Sequence, residues 1–376
     1  MKLLLCLPPK PLFMFKLVSK RWMSTISSPY FSSIWKPRPT SGLFVSLSSK
    51  GNFSIKYTYI SLIQPKQNPV VPLQCLDFIK DSCGVEILQS CGGLLFLCRS
   101  RASESSLQYY VYNPTTKHFS TFPYPNLLDK CPRISCLNLS FDLSKSPYCQ
   151  VIHIYGEYRS NIVFHIETYT FETNTWRYSG GPFVGPVGTS FSKGVFLNGT
   201  LHWPTDYSET SVCYDVYEKN IRKFPMPPLQ SECGRNLNYF GEVGGKLHAI
   251  DFTECNASNF DVFVMENDYS CWFKKYHIDL DTVAQSFPEM VVYKPDPWTD
   301  NTRTFLRYKV HSIIETETPD SPSLVLYIHD DKFISLNLTD NTLLKLPDLS
   351  RRSSDQQKSY FRKSRAFQYV ENPFWI

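Results

Sequence analysis

Tyr109 to Pro123 reads YYVYNPTTKHFSTFP. An aromatic and β-branched run, a polar turn carrying proline, and a second run that ends at proline describe two strands joined by a tight connection. Aromatic and β-branched side chains suit a pleated surface, whereas Asn, Pro and Thr suit a turn. The same order returns as ETYTFETNTWRYSGGP from Glu167, CYDVYEKNIRKFPMPP from Cys213, VFVMENDYSCWFKKYHI from Val262 and FISLNLTDNTLLKLP from Phe333. Aligned on Asn113, Glu172, Asp215, Glu266 and Asn337, the copies are spaced by 59, 43, 51 and 71 residues.

A second pattern precedes several copies. CGGLLFLC at Cys91, GVFLNGTLHWP at Gly194 and FGEVGGKLHAID at Phe240 each place a glycine-containing turn before an apolar strand, and Asn198-Gly199 is a tight-turn signal by itself. One glycine-turn hairpin and one polar-turn hairpin make four strands. Four-stranded units recurring every 40 to 50 residues or so predict the blades of a β-propeller, with loops absorbing the longer intervals. A single blade cannot bury both its faces, so neighbours must stack and the ring must close. Five or six blades are expected, and the final AFQYVENPFWI is expected to close the ring on an early strand within Gly42 to Ile63.

Composition agrees with a mainly β chain. Among 376 residues, 42% are hydrophobic and 15% aromatic, enough for a substantial core, and 27 prolines exceed 16 glycines. The net charge of +5 is uneven: residues 1–76 hold ten Lys or Arg and no acid, and the remainder holds 29 basic against 34 acidic residues. A nucleic-acid binder would carry a basic stripe on the large domain as well. The other basic run, Arg351 to Arg365, reads as a solvated loop. No stretch reaches the roughly 18 apolar residues of a membrane-spanning helix. No Cys-x-x-Cys pair occurs among the twelve cysteines, and Cys83, Cys91, Cys98, Cys131 and Cys136 lack zinc-ligand spacing, so free thiols are expected.

Ahead of the strands lies Leu7 to Phe31, LPPKPLFMFKLVSKRWMSTISSPYF. Proline at position 11 suits a helix start, and Leu12, Phe15, Val18 or Ser19, and Trp22 recur at helical spacing. A second helical piece is expected over Met23 to Ile26, ended by Ser27, Ser28 and Pro29. This run resembles the second half of a plant F-box, L-P-x-K-S-L-x-R-F-K-x-V-S-K-x-W followed by I-S-S-P-x-F. Leu7, Pro8, Lys10, Leu12, Phe15, Lys16, Val18, Ser19, Lys20, Trp22, Ile26, Ser27, Ser28, Pro29 and Phe31 fit in register. The acidic first helix of that motif has no counterpart, so an N-terminally truncated F-box is expected.

The strand region resembles the F-box-associated, kelch-related domain of the same family. Tyr112 to Lys117 carry its Y-N-P-T-T-K motif, Asn198, Gly199, Leu201, His202 and Trp203 its G-x-L-H-W motif, and Asp215, Phe224 and Pro225 a third. The resemblance implies a helical F-box remnant over residues 1–35, a linker over 36–41 and a propeller over 42–376. It further implies a non-catalytic substrate receptor of an SCF-type ubiquitin ligase in the cytoplasm, the nucleus or both. Leu7, Pro8, Leu12, Phe15, Val18, Ser19, Trp22 and Ile26 would dock a Skp-type adaptor, and through it a cullin. The propeller loops would hold an unidentified target protein, with no cofactor, nucleic acid or membrane involved.

Two other readings stay open. One is a stand-alone propeller that has lost the adaptor. The other is a propeller enzyme, with an organellar one suggested by the basic, acid-free N-terminus. No catalytic motif supports the enzyme: GTSFSKG at Gly188 lacks nucleophile-elbow spacing, and no His-x-x-x-His pair occurs. His329-Asp330-Asp331 reads as a surface turn rather than a metal site. His202 and His248 read as equivalent structural positions of two blades, and Trp176 and Trp272 as packing residues.

Overall fold

The computed structural model describes residues 2–35, 40–47, 56–62, 85–99, 107–125, 134–158, 162–229, 234–252, 258–295, 302–316, 321–328, 332–347 and 365–374. Four short helices come first: α1 (Lys2–Leu5), α2 (Pro9–Phe15), α3 (Lys20–Ile26) and α4 (Pro29–Ile34). Strands β1 (Gly42–Leu47) and β2 (Lys56–Ser61) follow. Blade one is β3 (Val85–Cys91), β4 (Leu94–Arg99), β5 (Tyr109–Asn113) and β6 (His118–Phe122). Blade two is β7 (Ile134–Ser140), β8 (Gln150–Tyr158), β9 (Ile162–Thr170) and β10 (Thr175–Phe183). Blade three is β11 (Val195–Leu197), β12 (Thr200–His202), β13 (Thr210–Asp215) and β14 (Asn220–Pro225). Blade four is β15 (Leu237–Val243), β16 (Lys246–Asp251), β17 (Asn259–Met265) and β18 (Trp272–Asp279). A helix, α5 (Asp281–Ser286), and a hairpin, β19 (Val291–Pro295) with β20 (Thr302–Leu306), intervene. Blade five is β21 (Tyr308–Ile314), β22 (Ser323–Ile328), β23 (Lys332–Asn337) and β24 (Leu343–Lys345).

The ring closes as the sequence predicts. The last strand, β25 (Ala366–Tyr369), pairs antiparallel with β1, Gly42 opposite Tyr369 and Val45 opposite Ala366. The closing blade thus runs β2-β1-β25, its innermost strand from the chain's end and its outer ones from the beginning, making a six-bladed propeller. Thr40 and Ser41 are already buried against this blade, and the Ser41 N–H donates to the Tyr369 carbonyl at 2.8 Å.

Each of the six junctions between neighbouring blades holds its own apolar cluster. In β8, Val151 faces blade one, among Phe96, Tyr109 and Phe122, while Ile152 and Ile154 face blade three, among Leu201, Trp203 and Tyr214. Strands buried on both faces need no alternation, which accounts for runs such as SLVLYI in β22. Trp176 and Trp272 stand second and first in the outer strand of their blades, and each indole donates at 2.8 Å to a proline carbonyl of the preceding blade, Pro123 and Pro225. They hold neighbouring blades together.

The recurrent polar turn is one structure built repeatedly. Asn113, Asp215 and Asn337 each accept, through the side-chain oxygen, the N–H two residues on, at 2.9, 3.1 and 2.8 Å. Lys117, Asn174, Lys219, Tyr269 and Asn341 then take left-handed backbone at φ 62, 55, 56, 60 and 59°. The glycine turns take positive φ at both central positions, as at Asn198 (50°) and Gly199 (81°). The inner hairpin of blade two, absent from the sequence reading, has no glycine in its turn; the Asp142 carboxylate instead captures the N–H and hydroxyl of Ser144 at 2.9 and 2.6 Å. Hairpin β19–β20 and α5 fill the 71-residue interval. His329–Asp331, Lys36–Pro39, Cys83, Cys131 and nearly all of the Arg351 to Arg365 run lie outside the described residues.

Candidate functional site

The N-terminal helices are too short to be stable alone, so their positions rest on caps and tertiary burial. The single apolar stripe expected through Trp22 is broken: α2 ends at Phe15, and Ser19 takes extended backbone and caps α3, its hydroxyl accepting the Trp22 N–H at 3.1 Å. The pair Ser28-Pro29, expected to end the helical segment, starts α4 instead, with Pro29 in its first turn and the Ser28 hydroxyl accepting the Phe31 N–H at 3.2 Å. Serine before the first turn stabilises a helix, and the sequence reading had weighed only proline's effect on the residue before it.

Leu4, Leu12, Ile26, Phe31 and Trp35 form a small core completed by Phe374 from the far end of the chain, with Leu7, Phe15 and the propeller's Leu143 at its edge. The eight residues singled out from the sequence therefore divide. Leu12 and Ile26 are fully buried in this core, and Leu7, Pro8 and Phe15 are half-buried. Val18 is 65% exposed, Ser19 is exposed at its cap, and Trp22 is 36% exposed with its ring edge-on to Phe15 at 4.6 Å. Around Val18 and Trp22 in sequence, Met14, Leu17 and Met23 are also exposed. Sequence reasoning missed these three because they lie off the apolar stripe. Their exposure, close to Trp22 in sequence, is a signal that only the tertiary structure supplies.

A family model for the F-box associated beta propeller domain matches residues 46–343. The Arabidopsis thaliana F-box protein At5g07610 is 32% identical, over 97% of this chain and 89% of its own length. The chain belongs to the plant F-box proteins. Further Arabidopsis thaliana relatives are F-box protein At5g49610, 30% identical over 68% of this chain and 71% of its own, and F-box/LRR-repeat/kelch-repeat protein At1g09650, 25% identical over 74% and 75%.

In this F-box protein the turns within each inner and outer hairpin share one face of the ring, and the helices sit there, against Phe374 and Leu143. The links between hairpins and between blades lie on the opposite face, because successive antiparallel strands alternate direction. That far face carries exposed Tyr124, Val184, Val187 and Tyr207. Its loops are firmly held in blade three. Arg235, 8% exposed, donates from one guanidinium nitrogen to the Ser208 carbonyl at 2.7 Å and from another to the Pro227 carbonyl, while its own N–H reaches the Asp206 carbonyl. Tyr207 lies over Gly188 (φ 81°) and Gly234 (φ 99°), where a Cβ would collide with its ring.

His202 and His248 occupy matching places, three residues after the turn glycine on the second strand of blades three and four. Burial lowers both to a pKa of about 4, leaving neutral rings, that of His202 stacked on Tyr269 of blade four. Burial also pushes the Cys91 thiol up to about 12 and the Cys213 thiol to about 11, the opposite of an activated nucleophile. In blade two the Ser135 hydroxyl lies 2.9 Å from His153 Nε2, and Glu167 stands 3.8 Å from Nδ1, beyond hydrogen-bond range. Tyr124 of blade one shares the same serine hydroxyl at 2.7 Å, which makes the group a polar staple across the junction. Among the described residues no cluster of His, Cys, Asp and Glu has metal-holding geometry.

Proposed function

We propose that this F-box protein is the substrate-recognition subunit of a Skp–cullin–F-box ubiquitin ligase. The helices dock a Skp-type adaptor, which links them to a cullin, and the propeller holds the target protein on the face turned away from them. The observation that carries the reading is the run of exposed apolar side chains at Met14, Leu17, Val18, Trp22 and Met23, on α2, α3 and the turn between them, in a unit whose buried face is already satisfied. Exposed methionines and a tryptophan around a formed core are the composition of a docking surface, since such side chains gain most when a partner removes them from water. The far-face tyrosines on tightly bonded loops favour the second half of the reading, because rigid aromatic anchors cost little entropy on binding. The receptor itself makes and breaks no bonds, and it works in the cytoplasm, the nucleus or both.

The test is a pull-down of the intact chain with a purified Skp-type adaptor, beside a Phe15→Ala, Trp22→Ala double variant. Saturable binding that the double variant loses supports the ligase reading. Absence of binding by the intact chain would leave the propeller as an independent interaction module, the competing reading.

A further inference from the structure

We propose that residues 370–374 are a positioning strap that fixes the helical unit rigidly on the propeller, and that the Asn113-Pro-Thr-Thr turn is the clasp that holds the strap. The strap runs on from β25 across the helix-bearing face. Every hydrogen-bonding position of the Asn113 amide is engaged. Its nitrogen donates to the carbonyls of Asn372 and Phe374 at 3.0 and 2.7 Å, and its oxygen accepts the N–H groups of Thr115 and Thr116 at 2.9 and 3.3 Å. Thr115 adds a second hold: its hydroxyl accepts the Asn372 N–H at 2.9 Å and meets the Tyr369 hydroxyl at 2.9 Å.

Asn372 is gripped from the other side as well, its amide donating to the Gly92 carbonyl at 2.8 Å. Gly93 lets the strap pass: with φ at 84°, a Cβ there would lie 2.5 Å from the Val370 carbonyl oxygen and 2.7 Å from the Asn372 Cβ. Both the glycine pair of CGGLLFLC and the polar turn of YYVYNPTTK, which recur as hairpin turns in other blades, thus have an added duty in blade one. Among the described residues the side chains of the other Asx turns bond nearby groups instead, Asp215 to Arg222 and Asn337 to Ser321.

The end of the strap belongs to the helices. The Phe374 ring, 4% exposed, packs against Trp35 at 5.2 Å and Phe31 at 6.2 Å. The Lys16 ammonium donates to the Pro373 carbonyl at 3.2 Å and lies 5.5 Å from the Phe374 ring centre. One five-residue segment therefore contacts blade one on one side and the helical core on the other. For a receptor that carries a target toward a ubiquitin donor, a fixed angle between docking helices and binding face sets which target lysines come within reach; this consequence rests on the ligase reading, whereas the strap itself does not.

The experiment uses the full chain without any partner. Spin labels on non-canonical residues at exposed Met23 and Tyr217 report the distance distribution between helices and ring. Asn113→Asp keeps the oxygen that accepts from Thr115 and Thr116 but replaces the donor to the two strap carbonyls with a second oxygen, so the turn survives and the strap is repelled. A roughly twofold broader distribution, with the propeller's melting temperature nearly unchanged, is expected. Phe374→Ala, which leaves the clasp intact and removes the anchor from the helices, is expected to broaden it likewise. An unchanged distribution in either folded variant overturns the proposal, as does broadening that accompanies only melting of the ring. Loss of adaptor binding in the pull-down, with the distance result as expected, would remove the ligase reading and leave the strap.

Discussion

The helical unit and the propeller solve the same problem with opposite means. The propeller spreads its apolar side chains over six inter-blade clusters and closes its ring with the chain's own last strand. The helical unit has one small core, borrows Phe374 and Leu143 to complete it, and leaves Met14, Leu17, Val18 and Met23 at least half exposed. A closed ring satisfies itself, whereas short helices need neighbours. The apolar surface that the helices leave unburied is the surface on which the proposed adaptor docking rests.

The largest expected effect tests the self-sufficiency of the ring. Phe96 is fully buried and stacks with Tyr109 and Phe122, so Phe96→Ala should cost about 3–5 kcal/mol of propeller stability, read by thermal unfolding. Adaptor binding below the new melting temperature should persist. If it vanished while the ring stayed folded, the two regions would be energetically one.

Acid should separate the regions next. Burial lowers His202 and His248 to about 4, and His311 to about 3, in the folded ring instead of the usual 6.5. The unfolded chain therefore binds more protons between those values, and stability must fall as pH drops from about 6.5 to about 4, by on the order of 3 kcal/mol per histidine. Residues 1–35 contain neither histidine nor carboxylate side chains and should contribute nothing to that slope. Unfolding measured at a series of pH values, with His202→Gln and His248→Gln flattening the dependence, checks both halves.

Smaller effects probe the helices. Trp22→Ala should weaken adaptor binding about tenfold, near 1.4 kcal/mol, by calorimetry, with no change in the melting of the ring. Ser19→Ala removes the α3 cap and should cost the helical unit about 1 kcal/mol, seen as faster hydrogen exchange in residues 20–26 only. Equal effects of both substitutions on the ring's melting temperature would erase the contrast.

Much of the ring was legible because its instructions are local. Each outer hairpin announces itself through residues that build a turn by their own side chains, as Asn113, Asp215 and Asn337 do. Where the turn chemistry changed, as at Asp142 in blade two, the strands went unread. The proposed docking surface was legible only in part. Periodicity marks Leu12, Phe15, Trp22 and Ile26 as apolar positions, but cannot say that Leu12 and Ile26 face inward while Trp22 stays partly outside.

By itself, then, the sequence determined most of the outer hairpins, the repeating propeller architecture and the family, since turn chemistry and strand pattern act over a few residues; that the blades number six was decided by the ring closure. Only the tertiary structure decided which side chains remain in water and how the two regions are joined. The strap from Val370 to Phe374 meets Asn113 more than 250 residues earlier in sequence, and Lys16 meets Pro373 across almost the whole chain. Such pairs leave no periodic trace, because a contact of that separation is created by closing the ring and not by any local preference of the backbone.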